Sequence, residues 1–241
     1  MLDEVLVDLK KLSRMGPIKS LGDGSNNSIG KTFRNVLNIQ SQRNEYKGFR
    51  INATSSKSNS RNTLIPGCVP DWQKSIVKSP KDIVDQYGIS DISGKYQKKL
   101  FCTVDSLRPN NFGLILKVDT NKNLLSEYFQ NQSSKKQIAI WDSHRLNKYL
   151  QKKNNIIIVS ANKKLKKDGV YFHFCFAEVF MNLTFENFLK FISYGSINMD
   201  HCISLKHGSN SAKEQGPSFK ISKEACTHLY SDYRKYDLMD K

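Results

Sequence analysis

The side chains in this sequence best suited to chemistry are cations. Lysine and arginine number 38 against 22 acidic residues, a formal charge of +16 with a pI near 9.6. Lys19 and Lys31 flank the polar loop Gly22–Ser28, and Lys57 and Arg61 lie in a serine-rich stretch. Ammonium and guanidinium groups in such settings contact phosphate oxygens, which positions a protein on nucleic acid without reading its bases. A charge excess of this size repels itself in a compact chain and points to a polyanionic partner, nucleic acid foremost. A generally lysine-rich composition is the competing reading.

Other chemistries find little support. The five cysteines (Cys68, Cys102, Cys175, Cys202, Cys226) are odd in number and form no CxxC pair, so they read as reduced thiols of a cytoplasmic protein. His173 lies in an alternating strand, and His201, His207 and His228 lack metal-ligand spacing. Gly22-Asp-Gly is a turn and not a phosphate loop. Asp71 and Glu178 are the spare acids that a catalytic site could use; a salt-bridged structural role is the plainer reading of Glu178. The opening residues are acidic where a signal peptide would be basic. The longest apolar stretch, 170–181, is broken by His173 and Glu178 and is too short to span a bilayer, so no membrane partner is expected.

These residues sit on a mixed α/β pattern. Leu2, Val5, Leu6, Leu9 and Leu12 predict an amphipathic helix ended by Gly16-Pro17, and Ile29, Phe33, Val36 and Leu37 share one face of a second. Phe49, Ile51 and Ala53 alternate as in a half-buried strand, and 63–65 reads as another. The segment 66–99 is loop-rich, with a short helix near 82–87. Strands are expected at 100–104, 113–118, 137–141, 156–160, 171–181, 197–205 and 218–221. Helices are expected at 143–150, with Ser143 as N-cap, and at 183–194, burying Phe185, Phe188, Leu189 and Ile192. The chain reads as a single domain over 1–241 with no evident linker, with room for a catalytic-type lobe and a DNA-recognition lobe.

The segment Ser28-Ile-Gly-Lys-Thr-Phe-Arg-Asn-Val-Leu37 followed by Tyr46-Lys-Gly-Phe-Arg-Ile-Asn-Ala-Thr54 resembles the MvaI/BcnI family of type II restriction endonucleases. Residues 58–65, Pro70-Asp-Trp72, Ile138-Ala-Ile-Trp-Asp142, Tyr171-Phe-His-Phe174 and Ile203-Ser-Leu205 follow in family-like order. The resemblance implies the PD-(D/E)XK fold, related to the mismatch-repair nickase MutH: a mixed sheet flanked by helices, with two lobes around a DNA cleft. It also implies a divalent metal held by an aspartate and a glutamate, with a lysine orienting the attacking water. At those positions this sequence has Glu45, Arg50 and Asn52, and Arg34 replaces a helix glutamate. Glu45 could still ligate Mg²⁺. Arg50 puts a fixed positive charge where a carboxylate is needed, so no cofactor is expected unless the site is rearranged and active.

In the family, bases are read by a late segment that corresponds here to residues 202–221. Cys202 stands where an arginine is common, Glu214-Gln215 replace Asp-His, and Lys220 replaces an arginine. Lys206, His207, Lys213, Gln215 and Lys220 remain candidates for backbone or base contacts; a solvated basic loop is the alternative. Three functions stay open: a non-cleaving DNA-binding pseudonuclease, a divergent active Mg-dependent endonuclease of a restriction–modification system, and a protein-interaction module. The first could be the recognition subunit of an assembly with an active homologous subunit. The second needs a cognate methyltransferase for self-protection.

Overall fold

The computed structural model describes residues 1–40, 44–57, 62–65, 68–151 and 154–240. Along the chain these form α1 (Leu2–Arg14), β1 (Ile18–Lys19), α2 (Asn26–Val36), β2 (Glu45–Tyr46), β3 (Phe49–Ser55), β4 (Asn62–Ile65), α3 (Pro80–Tyr87) and β5 (Ile89–Ser90). Next come β6 (Lys98–Val104), β7 (Leu114–Asp119), β8 (Leu124–Gln130), β9 (Lys135–Trp141), α4 (Ser143–Gln151), β10 (Asn155–Lys166) and β11 (Gly169–Met181). The chain ends with α5 (Phe185–Ser193), β12 (Ile197–Leu205), β13 (Ala212–Glu214), β14 (Ser218–Ile221), α6 (Lys223–Leu229) and β15 (Asp232–Asp237). They group into two compact units, one of residues 1–59, 153–183 and 230–241 and the other of 60–152 and 184–229.

The first unit is a six-stranded sheet in the order β2–β3–β10–β11–β1, with β15 also paired to β11. Only β3 and β10 run parallel; the other pairings are antiparallel. Alternation does the sorting. Phe49, Ile51, Ile157, Val159, Ala177 and Val179 enter a core shared with Val5, Leu9 and Leu12 of α1 and Ile29 and Phe33 of α2. Burial of each Val, Leu, Ile or Phe among them stabilises by roughly 1.5–3 kcal/mol. Residues between them, Arg50 and Asn52 among them, face the other way.

The second unit holds a six-stranded sheet, β4–β14–β12–β6–β5 with β13 also on β12, and a three-stranded sheet β7–β8–β9. Trp141 is fully buried, donates from its indole nitrogen to the Cys68 carbonyl at 2.7 Å, and packs edge-on to Phe219. Thr184 caps α5 by accepting from the Asn187 amide at 3.1 Å, and Phe188, Leu189 and Ile192 are buried as their spacing predicts. Phe185 is only half-buried.

Two further expectations change. The cap of α4 is Asp142, whose carboxylate accepts from the Arg145 amide at 2.8 Å, while Ser143 is already the first helical residue. The strand expected at 156–160 runs on to Lys166, because β11 pairs with it as far as Lys166 and Gly169. No helix among the described residues is long and apolar enough to cross a membrane.

Candidate functional site

The β2–β3 hairpin brings Glu45 and Arg50 together. Its two turn residues, Lys47 and Gly48, both have positive φ (46° and 78°), as a two-residue type I′ turn requires. Lys47 tolerates this conformation with its ammonium held by Asp8 at 2.6 Å. The turn sets the register Tyr46↔Phe49 and Glu45↔Arg50, and the Ile51 amide donates to the Asn44 carbonyl at 2.8 Å. Direct partners of this kind have Cα atoms about 4.5–5.5 Å apart. Glu45 is exposed and Arg50 half-buried. Burial lowers the Arg50 pKa; through-space attraction to Glu45 and to Tyr230 acts against this, with no hydrogen bond contributing. The guanidinium stays charged.

Rows of cross-strand partners show what shares this face. Arg50 lines up with Ile156, Phe180 and Tyr233, and Asn52 with Ile158, Glu178 and Lys235. Glu178 is buried and accepts a hydrogen bond from the Tyr233 hydroxyl at 3.0 Å. Arg34 lies on α2, whose Ile29 and Phe33 pack on the core face of β3 with Phe49 and Ile51; a Cβ on Gly30 would meet the Arg34 Nη1 at 3.3 Å and the Ala53 carbonyl at 3.8 Å. Of the expected phosphate contacts in this unit, Lys31 and Lys57 are exposed and Lys19 is paired with Asp168 at 3.1 Å. Arg61 lies outside the described residues.

The second unit gathers the late-segment candidates. Lys206 and His207 follow β12 on an exposed turn, and Lys213 is exposed on β13. Gln215 and Lys220 line a solvent-open pocket with Cys102, Thr103, Asp200 and Cys202. Lys220 is ion-paired to Asp200, whose other oxygen accepts from the Thr103 hydroxyl at 2.7 Å. Asp71 is paired with Lys74 at 3.4 Å. His173 reaches the Ser13 carbonyl at 3.1 Å, and His228 is exposed.

Sequence reasoning missed one cluster. His201 is buried between Glu127, 3.0 Å from Nε2, and Glu214, 3.2 Å from Nδ1. Burial lowers its pKa, but the two carboxylates outweigh burial and raise it to about 10. Oε2 of Glu214 is buried without a hydrogen-bond partner. Glu127 and His201 are 74 residues apart, and neither spacing nor composition hints that they meet. The five cysteines are free thiols, and burial pushes Cys68 and Cys102 up to about 12, far from the reactive range.

Residues 6–230 match the MvaI/BcnI restriction endonuclease family. The chain belongs to this family. Among solved structures it is similar to the complex of restriction endonuclease MvaI with its cognate DNA substrate, at 19% identity and a TM-score of 0.77 over 98% of each chain. It is also similar to MvaI in the absence of DNA, at 19% identity and a TM-score of 0.65 over 97% of this chain and 96% of that one. At that identity the likeness is one of fold. No curated protein matched.

For a member of the MvaI/BcnI family, the divalent ion implied by the resemblance is a poor fit to these residues. Mg²⁺ takes oxygen ligands, carboxylates above all. Glu45 is the one acid on the hairpin, its partner position carries a guanidinium, and Asn52 is neutral. Among the described residues no group of three or more His, Cys, Asp or Glu side chains could hold a metal.

Proposed function

We propose that this chain binds double-stranded DNA without cutting it, and that the sheet face of Arg50 and Asn52 holds a backbone phosphate. The observation that carries the reading is Arg50. Its guanidinium is half-buried beside a single exposed carboxylate, so it has lost water without gaining a hydrogen-bonded partner. A phosphate oxygen pair would supply that partner in bidentate geometry. Family membership, the likeness to an endonuclease solved with cognate DNA, and the +16 charge support duplex DNA as the ligand. In the second unit, Gln215 and Lys220 offer hydrogen bonds to base edges, while Lys206, His207 and Lys213 offer phosphate contacts. Reduced thiols fit a cytoplasmic setting. A non-cleaving binder would act as the recognition part of an assembly whose active subunit is a relative.

A second reading, a divergent active endonuclease, draws on Glu178, a carboxylate in the same row as Asn52. One set of assays separates the readings. Purified protein is incubated with plasmid DNA and Mg²⁺ or Mn²⁺, and duplex binding is measured in EDTA. The proposal expects no cutting, with duplex binding that Arg50→Ala weakens about tenfold, the loss of one charge-assisted contact. Cutting abolished by Glu45→Ala or Glu178→Gln would establish the enzyme. Absence of any salt-sensitive binding would leave only an interaction module.

A further inference from the structure

We infer that the outer half of the β10–β11 hairpin continues the phosphate-binding face, with Lys164 and Lys166 contacting the backbone of duplex DNA beyond the reach of Arg50; this rests on the DNA-binding reading above. The register of the sheet leads there. Arg50, Asn52 and Thr54 of β3 are partnered by Ile156, Ile158 and Ser160 of β10. Continuing by twos along β10 on the same face reaches Asn162, Lys164 and Lys166. The irregularity in this pairing leaves Cys175 of β11 as the extra residue, so alternation along β10 is unbroken. The Ser56 hydroxyl donates to Asn162 Oδ1 at 2.7 Å, joining the two strands at the point where β3 stops. From Ile156 to Lys166 the row is about 33 Å long at ~3.3 Å per residue, enough to meet several phosphates of a duplex whose strands each carry one per ~3.4 Å of helix axis.

Charge follows the geometry. Residues 162–168 are all exposed and include four lysines and one aspartate. That aspartate, Asp168, is already engaged by the Tyr171 hydroxyl at 2.7 Å and by Lys19 at 3.1 Å. Lys163 turns to the Gly24 carbonyl, a neutral acceptor, at 2.9 Å. Lys166 lies 4.2 Å from the centroid of the Tyr171 ring, which orients its ammonium without neutralising it. Lys164 is the direct cross-strand partner of Tyr171, so both lysines project beside the same ring. Lysines on an unpaired strand edge can also serve to block aggregation, a role that requires no ligand.

The experiment measures binding of a labelled blunt duplex of mixed sequence by fluorescence anisotropy, in EDTA, over a salt series. The variants are Lys164→Gln/Lys166→Gln, the charge-retaining Lys164→Arg/Lys166→Arg, and Lys10→Gln/Lys11→Gln, which removes equal charge from α1. Both hairpin lysines are exposed, so the fold should tolerate each change; thermal melting checks this. The hairpin glutamine pair should lower the slope of log K against log salt by about 2, at ~0.9 per phosphate contact, and reduce affinity at least tenfold. The arginine pair and the α1 pair should keep the wild-type slope. If the hairpin glutamine pair binds normally while Arg50→Ala does not, DNA binding stands and the hairpin contact is overturned. Equal losses in both glutamine pairs would overturn it in favour of overall charge. A wild-type protein that fails to bind duplex at any salt would remove the reading beneath it as well.

Discussion

Arg50 and His201 are both cations drawn out of water, and their partners give them opposite characters. Arg50 faces the exposed Glu45 and, among the described residues, makes no hydrogen bond, the setting on which the phosphate proposal rests. His201 has carboxylates on both ring nitrogens and is buried, so its charge is used internally. Its pKa is near 10 in the folded chain against an ordinary 6.5. The stabilisation it brings is therefore fully present below about 6.5 and is lost as pH rises through about 10. His201→Gln should cost about 3–5 kcal/mol at the acid end of that window, since it leaves buried carboxylates without their cation. Denaturant midpoints of the two proteins, followed with rising pH, should converge towards pH 10. A gap that stays constant across the window would mean that the imidazole is neutral throughout.

Among the elements, the β2–β3 hairpin matters most, because a two-residue turn decides whether Glu45 and Arg50 meet. Gly48 sits at φ 78°, and a Cβ there would come 3.2 Å from the flexible end of Met1. Gly48→Ala should cost about 1–2 kcal/mol through the left-handed backbone alone. It should lower both the melting temperature and the duplex affinity that depends on Arg50. Gly94→Ala, also at positive φ (72°) but open within 4 Å and in the other unit, should lower the melting temperature and spare that affinity. Loss of binding in both variants to the same degree would reduce the hairpin to a stability effect. The two-residue β2 and the hairpin turn came only from the fold, but β3 was legible in the sequence because the Phe49/Ile51 alternation is a local signal. β8 was not, because its buried Ser126 and Glu127 break the alternation, and only packing against His201 explains the glutamate.

For the whole molecule, a +16 chain that contacts phosphates should show duplex affinity falling steeply with salt whatever the sequence of the DNA, as a salt series of anisotropy titrations would measure. A stricter test of the scaffold is to install together the residues that the resemblance implies, Glu45→Asp, Arg50→Glu and Asn52→Lys. The rebuilt protein should bind Mn²⁺ by calorimetry and nick plasmid DNA. Metal binding without nicking would show that more than the hairpin has departed from an endonuclease. Local patterns in the chain carried the family resemblance, the mixed α/β class and most strands and helices, and the resemblance implied a carboxylate and a lysine where Arg50 and Asn52 stand. All of these rest on local patterns, periodicity, turns and motif order, that survive without knowledge of distant contacts. Strand pairing and packing added that Arg50 is half-buried beside Glu45, that Lys220 is tied to Asp200, and that Lys164 and Lys166 lie on the same sheet face as Arg50. The reason is strand pairing: β3 meets β10 across about a hundred intervening residues, and no local feature states which strand will lie alongside or in what register.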